Sequence, residues 1–160
     1  MQISLLAAYT KKGLVLGSGG KIPWNLPKER NRFKRLCHEK YIIMGRKSFE
    51  EIGKPLSYCK IIVVSKTLST LPQGLILKPT LESAIQFSFE KQNEAIIAGG
   101  QSLYEQALPL ASKIYATEIY LDIKGDTFFP KLKNNWTKII EETIIENKIK
   151  YDYVLYEKNL

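Results

Sequence analysis

Three short runs constrain this chain more than anything else in it. Tyr41-Ile42-Ile43-Met44, Lys60-Ile61-Ile62-Val63-Val64-Ser65 and Ala95-Ile96-Ile97-Ala98 are nearly unbroken in apolar side chains. Successive side chains of a strand point to opposite faces, so a strand wetted on one side alternates apolar and polar residues. A strand with no polar alternation is covered on both faces. That is the condition of a parallel sheet flanked by helices, not of a hairpin meander. Further β-rich runs are read at Ile3–Tyr9, Leu75–Leu77 and Lys113–Ile119, with two more near Lys138–Ile145 and Tyr151–Tyr156.

Helical patterns separate the early runs: Pro27–His38, Ser48–Ile52, Leu81–Gln92 and Ser102–Leu108. Strand and helix in alternation predict βαβ units. Beyond Thr117 the alternation stops. Asn147-Lys148 divides two β-rich stretches and predicts a C-terminal antiparallel hairpin added to the sheet. The expected fold class is therefore α/β: a mixed, mostly parallel central sheet flanked by helices, closed by that hairpin. No repeat, low-complexity tract or Pro/Gly/Ser-rich linker interrupts 160 residues. One domain over residues 1–160 is expected. At 44% hydrophobic residues the chain has enough apolar surface to offset its conformational entropy.

Other features narrow the function classes. No segment reaches the ~20 apolar residues of a membrane span. Met1–Ala8 has no basic leader and reads as a first strand. Cys37 and Cys59 form no CxxC, and His38 is the one histidine, so free thiols in a reducing cytoplasm are expected and no metal site is. The net charge of +8 suits an anionic partner: nucleic acid, a membrane surface or a phosphorylated small molecule. No aromatic set of the RNA-binding type and no zinc finger accompanies it, so neither nucleic acid nor membrane is expected as a partner.

In an open α/β sheet, ligands bind beyond the carboxyl ends of the strands. Three exits carry chemistry suited to anions. Tyr41–Met44 is followed by Gly45-Arg46-Lys47-Ser48, Lys60–Ser65 by Lys66-Thr67, and Ala95–Ala98 by Gly99-Gly100-Gln101-Ser102. Cations and hydroxyls recognise phosphate, and glycine lets backbone approach a ligand closely. Each exit alone is equally an ordinary turn. Together they predict a ligand with several phosphates spread along one edge, such as a phosphorylated dinucleotide. Gly17-Ser18-Gly19-Gly20-Lys21-Ile22 satisfies neither the P-loop nor GxGxxG. Gly13–Gly20 reads as a glycine-rich mobile loop, with a cover over the site and a plain connection both open.

In the first helix Leu26, Phe33, Leu36 and Cys37 define an apolar stripe, and Glu29 falls on it. The other charges of this helix are expected to face water. Glu29 near the third helical position also suits a capping box or the helix dipole, and spacing does not choose between these. On the stripe, a half-buried carboxyl has a raised pKa and handles a proton or anchors a cationic heterocycle.

These residues bring a family into view. The chain resembles dihydrofolate reductase over nearly its whole length. The matching motifs are Ile3-Ser4-Leu5-Leu6-Ala7-Ala8, Ile22-Pro23-Trp24-Asn25-Leu26-Pro27, Ile43–Glu50, Ile52-Gly53-Lys54-Pro55-Leu56, Ala98-Gly99-Gly100, Leu103-Tyr104 and Gly125–Pro130, in that order. The resemblance implies NADPH-dependent reduction of dihydrofolate to tetrahydrofolate, in a cytoplasmic monomer, with hydride delivered to C6 and a proton gained at N5. It implies that Glu29 is the acidic group of the pterin pocket, hydrogen-bonded to Thr117, with Trp24 and Tyr104 completing the catalytic set. Leu6, Ala7, Ala8, Arg30, Phe33, Ile52, Leu56 and Ala98 would contact substrate. Arg46, Lys47, Ser48, Ser65 and Lys66 would hold the 2′-phosphate end of NADPH. Gly99, Gly100, Gln101, Ser102 and Leu103 would hold its pyrophosphate, with a cis peptide at Gly99-Gly100. Ala8, Gly45, Tyr104, Thr127 and the gating loop Leu16, Gly17 to Ile22 would complete the cofactor contacts, braced by Gly125-Asp126.

The match departs at one position. The family has an arginine shortly after Gly-x-Pro-Leu that grips the folate tail carboxylate; here that position is Cys59. A thiol cannot form that fork. Arg30, Arg32, Lys34, Lys54 and Lys60 are the cations available to compensate. The plain expectation is the same enzyme with weaker tail binding; the alternatives are tail contacts moved to Arg30, a dihydropterin reductase without the usual tail recognition, and a pyrimidine reductase of riboflavin synthesis. Against the last stand Pro23-Trp24-Asn25-Leu26-Pro27 and Glu29.

Overall fold

The computed structural model describes residues 1–160. Its strands are β1 (Gln2–Thr10), β2 (Val15–Gly17), β3 (Tyr41–Gly45), β4 (Lys60–Val64), β5 (Ile76–Lys78), β6 (Glu94–Ile97), β7 (Lys113–Ile119), β8 (Thr127–Phe128), β9 (Trp136–Glu146) and β10 (Ile149–Lys158). Its helices are α1 (Pro27–Cys37), α2 (Arg46–Ile52), α3 (Leu81–Lys91) and α4 (Gln101–Ala107), the last continued by a 3₁₀ turn at Leu108–Leu110.

Eight strands form one sheet in the order β5-β4-β3-β6-β1-β7-β10-β9. The first six run parallel, and β10 and β9 add antiparallel strands at the β7 edge. The two-residue turn between β9 and β10 has both Asn147 and Lys148 at positive φ (51° and 66°), the twist that matches an antiparallel pair.

The continuous apolar runs behave as their composition requires. Ile42 and Ile43, Ile61 and Ile62, and Ile96 and Ile97 are all buried, although each pair points to opposite faces. On one face Ile42, Ile61 and Ile96 pack with Cys37 of α1 and Phe49 of α2. On the other, Ile43, Ile62 and Ile97 pack with Leu81, Ala84 and Ile85 of α3 and Leu103 and Ala107 of α4. Full burial of one such side chain contributes about 1.5–3 kcal/mol, so these six form the apolar centre of the sheet.

Two expectations are corrected. Gly13–Gly20 is not one free loop: Val15–Gly17 pairs antiparallel with Thr127–Phe128 as a second small sheet. A two- or three-residue strand carries no periodicity to read. The expected solvent exposure of every charge on α1 except Glu29 also fails. Arg32 is buried, its charge satisfied by β7 and the C-terminal hairpin.

Candidate active site

The carboxyl ends of β4, β3, β6, β1 and β7 lie side by side, because these strands are sheet neighbours and parallel. Sequence segments far apart are thereby collected along one edge.

At the β3–β6 exits, the Gly45 N–H donates to the Gly99 carbonyl at 2.9 Å. The Gly99-Gly100 peptide is cis. A Cβ on Gly99 would stand 3.0 Å from Ser48 Oγ, and one on Gly100 at the same distance. Gly99 also has φ +128°, where side chains are strained, so a backbone groove floored by Ser48 requires glycine here. Arg46 and Ser48 are half-exposed and Lys47 is exposed at the start of α2. Arg46 makes a 3.8 Å contact with Glu50. One strand further out Ser65 is half-buried and accepts the N–H groups of Thr67 and Leu68, beside exposed Lys66. The Gln101 side chain turns away to accept the Phe128 N–H at 2.8 Å, and Ser102 Oγ accepts from Gln106. Their contribution to the groove is therefore backbone. Leu103 and Tyr104 are buried, and the Tyr104 hydroxyl donates to the Leu6 carbonyl at 2.7 Å, tying α4 to β1.

The second half of the edge centres on Glu29. Helix α1 begins at Pro27, whose fixed φ and missing N–H suit a first turn. Its N-cap is Leu26, which has no side-chain acceptor. The cap comes from 118 residues away instead: Glu146 of β9 accepts the Lys28 N–H at 3.0–3.1 Å. Glu29 therefore caps nothing. It lies half-buried on the inner face, where Thr117 Oγ1 donates to its Oε1 at 3.2 Å. No buried side-chain polar atom in the molecule lacks a partner, so Glu29 Oε2, which has none, faces accessible space. Burial raises the Glu29 pKa above the ordinary carboxyl range, opposed by the Thr117 hydrogen bond and by the charges of Arg32 and Arg30.

The apolar residues predicted around this carboxyl divide between layers. Leu6, Phe33, Ile52, Leu56 and Ala98 belong to one cluster under α1 and α2. Ala7 and Tyr104 belong to the opposite face. Ala8 and Trp24 pack with Leu26, Ile119 and Tyr151 at the β7 end. In register, Ala8 is the β1 partner of Thr117. Arg30 is exposed and donates to Asn25 Oδ1 at 2.6 Å.

The glycine-rich segment is anchored at both ends. Leu16 is half-buried and Gly17 buried, with Thr127 Oγ1 3.1 Å from where a Gly17 Cβ would be. The Gly19 N–H donates to Asp126 Oδ2 at 2.9 Å, and the Asp126 N–H to the Gly17 carbonyl at 3.0 Å. A Cβ on Gly125 would run into Val15 and the Gly17 carbonyl, so that crossing requires glycine. Ile22, at the end of the segment, is 57% exposed and covers nothing in the chain.

Arg32 and Glu146 are the groups around Glu29 that spacing missed. Arg32 carried a signal: it sits three residues after Glu29 and four before Leu36, on the same stripe. Glu146 carried none, since its role depends on how the hairpin folds back onto α1.

Comparison with known proteins agrees with this arrangement. Residues 2–158 match the family model described as dihydrofolate reductase. The chain is 34% identical over 159 residues to "Dihydrofolate reductase type 5" of Escherichia coli, covering 99% of each chain. It is 41% identical over 136 residues to "Dihydrofolate reductase" of Haemophilus influenzae, covering 85% of this chain and 82% of that one. A solved structure, "Dihydrofolate reductase from Enterococcus faecalis complexed with NADP(H) and RAB-propyl", superposes with a TM-score of 0.90 at 26% identity, covering 99% and 97% of the two chains.

Proposed function

The chain belongs to the dihydrofolate reductase family, and from that premise we propose that it reduces 7,8-dihydrofolate to 5,6,7,8-tetrahydrofolate with NADPH. The observation that carries the reading is the half-buried carboxyl of Glu29, held by Thr117 through one oxygen and open at the other. It stands at the end of a sheet whose neighbouring exits form a groove of glycine backbone above Ser48.

The residues present fit a phosphorylated dinucleotide. Backbone at Gly99–Leu103 is approachable because no Cβ fills the space above Ser48. Arg46, Lys47 and Lys66, with Ser48 and Ser65, supply cations and hydroxyls for a terminal phosphate. When bound, the dihydronicotinamide supplies the hydride. Glu29 holds the pterin by its N3 and exocyclic amine, and its negative charge favours the proton gained at N5. The apolar surface of Leu6, Ala8, Phe33, Ile52, Leu56 and Ala98 orients the two rings and excludes water. The Leu16–Ile22 segment, pinned by Asp126, covers the cofactor.

Loss of NADPH absorbance on adding dihydrofolate, with wild type beside Glu29→Gln, tests the reading. Wild-type turnover that Glu29→Gln abolishes supports it, and equal rates in both overturn it.

One observation favours a second reading of the substrate. Burial raises the Cys59 thiol to about 11, so the position carries no charge at neutral pH. Nearby Lys34 rests over the Tyr58 ring at 5.6 Å. A dihydropterin without a glutamate tail would lose nothing here. The ratio of kcat/KM for dihydrofolate to that for a tail-less dihydropterin decides, and a large preference for dihydrofolate rules the second reading out.

A further inference from the structure

Among the charged side chains of α1, Arg32 is the least exposed, at 7%. Its guanidinium lies 4.2 Å from the centre of the Tyr153 ring, a cation–π contact. One terminal nitrogen, Nη1, donates to the Ala116 carbonyl at 3.0 Å and to Thr117 Oγ1 at 3.2 Å. The other, Nη2, is 3.6 Å from Glu141 on β9. Thr117 Oγ1 in turn donates to Glu29 Oε1.

The polarity of this chain of contacts runs from Arg32 through Thr117 to Glu29. A guanidinium only donates, and a threonine hydroxyl has one proton. Once Arg32 occupies a lone pair of Thr117 Oγ1, that hydroxyl presents its proton elsewhere. The acceptor within reach is Glu29 Oε1 at 3.2 Å. We propose that Arg32 is a positioning residue: acting through the Thr117 hydroxyl, it fixes Glu29 Oε1 as an acceptor and stabilises Glu29 as a carboxylate. This rests on the functional reading for its purpose, because an ionised Glu29 is what a cationic pterin edge binds. Its physical content does not depend on that reading.

The groups facing Glu29 from each element leave Arg32 as its principal counter-charge. On α1, Arg30 is exposed and committed to Asn25, so solvent screens it. Glu146 of β9 opposes ionisation, though it is occupied with the Lys28 N–H and the Tyr151 hydroxyl. Thr117 is the β7 partner. Tyr104 of α4 and Tyr153 of β10 are both raised by burial and stay neutral. Arg32 itself is flanked by Glu141, Tyr153, Glu29 and Arg35.

The test is a carboxyl-carbon NMR titration of Glu29 in the ligand-free protein, the signal assigned by its loss in Glu29→Gln. Arg32→Gln keeps a donor and removes the charge; the Glu29 midpoint is expected to rise by ~1 unit. Arg32→Lys keeps the charge, and its midpoint is expected close to wild type. Glu141→Gln changes a half-exposed residue of the edge strand, so it tests the idea even if Arg32→Gln does not fold. It strips the counter-charge from Arg32 and is expected to lower the midpoint by a smaller amount. An unmoved midpoint in folded Arg32→Gln overturns the proposal, and so does an unmoved or raised one in Glu141→Gln. Wild type that fails to reduce dihydrofolate would defeat the functional reading while leaving this titration to stand on its own.

Discussion

Thr117 and Glu118 are neighbours on β7, and each serves a carboxylate on its own side of the sheet. On the α1 side the Thr117 hydroxyl reaches Glu29, which has one protein hydrogen bond and an open oxygen. On the other side Glu118 is itself the carboxylate, 5% exposed. It accepts from Tyr9 (2.9 Å), Tyr156 (2.7 Å) and Lys138 (2.6 Å). Burial pushes Glu118 upward, but the hydrogen bonds of Lys138, Tyr156 and Tyr9 outweigh it, and its pKa is lowered. At Glu29 burial wins, and the pKa is raised. Exposure alone does not separate the two, since the less exposed carboxyl is the one whose partners the chain supplies in full. What sets Glu29 apart is an acceptor oxygen with no partner in the chain.

The largest effect separates the two by activity. Glu29→Gln should lower kcat/KM for dihydrofolate at neutral pH by about 10²–10⁴-fold while leaving the melting temperature at or above that of wild type. Steady-state kinetics and a melt on the same preparation check both halves. A variant that keeps its activity would put Glu29 in the same class as Glu118.

Glu118→Gln should do the reverse. An amide cannot accept from two tyrosines and a lysine as a carboxylate does, so about 1–3 kcal/mol of stability is expected to go, or roughly 3–10 °C in Tm. The kcat should stay near wild type. Urea unfolding with parallel assays measures the two, and a loss of activity without loss of stability would erase the distinction.

How far the chain announced this pair shows what sequence can carry. The buried strands were legible because burial on both faces leaves apolar runs, and six isoleucines declare it. Glu29 was legible as a carboxyl on an apolar stripe, and the strand exits as glycines and cations after those runs. The capping alternative for Glu29 could not be settled there, because the cap is Glu146, brought in by the hairpin. Glu118 gave no sign, since its three partners come from β1, β9 and β10 and meet only in the folded sheet. Arg32 was misread because charge on a helix defaults to solvent, and only the packing of Tyr153 and Glu141 pulls it in. Local pattern reports what a residue buries. It does not report which polar groups wait for it there.

A third ionisable position, half-buried Cys59, extends the comparison. On the proposed reading, Cys59→Arg would place a cation for a carboxylate tail of the substrate to pair with. If the substrate carries a carboxylate tail, KM for dihydrofolate should fall by about tenfold with kcat little changed, the worth of one charge-assisted pair. An unchanged KM would show that no tail contact is missing at this position.

The smallest effect is in how stability depends on pH, and there the two carboxyls should differ in sign. A glutamate in the unfolded chain titrates near ~4.3. Glu118, held below that, contributes stability that is present above ~4.3 and is lost as pH falls through its folded value. Glu29, held above it, costs stability at neutral pH. That cost shrinks as pH falls through its folded value and is gone below ~4.3, where both states are protonated. The Tm of Glu29→Gln should therefore exceed wild type at neutral pH, with the gap closing toward about pH 4. The deficit of Glu118→Gln should hold over that whole range and shrink only in stronger acid. Melts from roughly pH 4 to neutrality supply both curves. A wild-type advantage over Glu29→Gln at neutral pH would mean that the chain already satisfies Glu29, as it does Glu118.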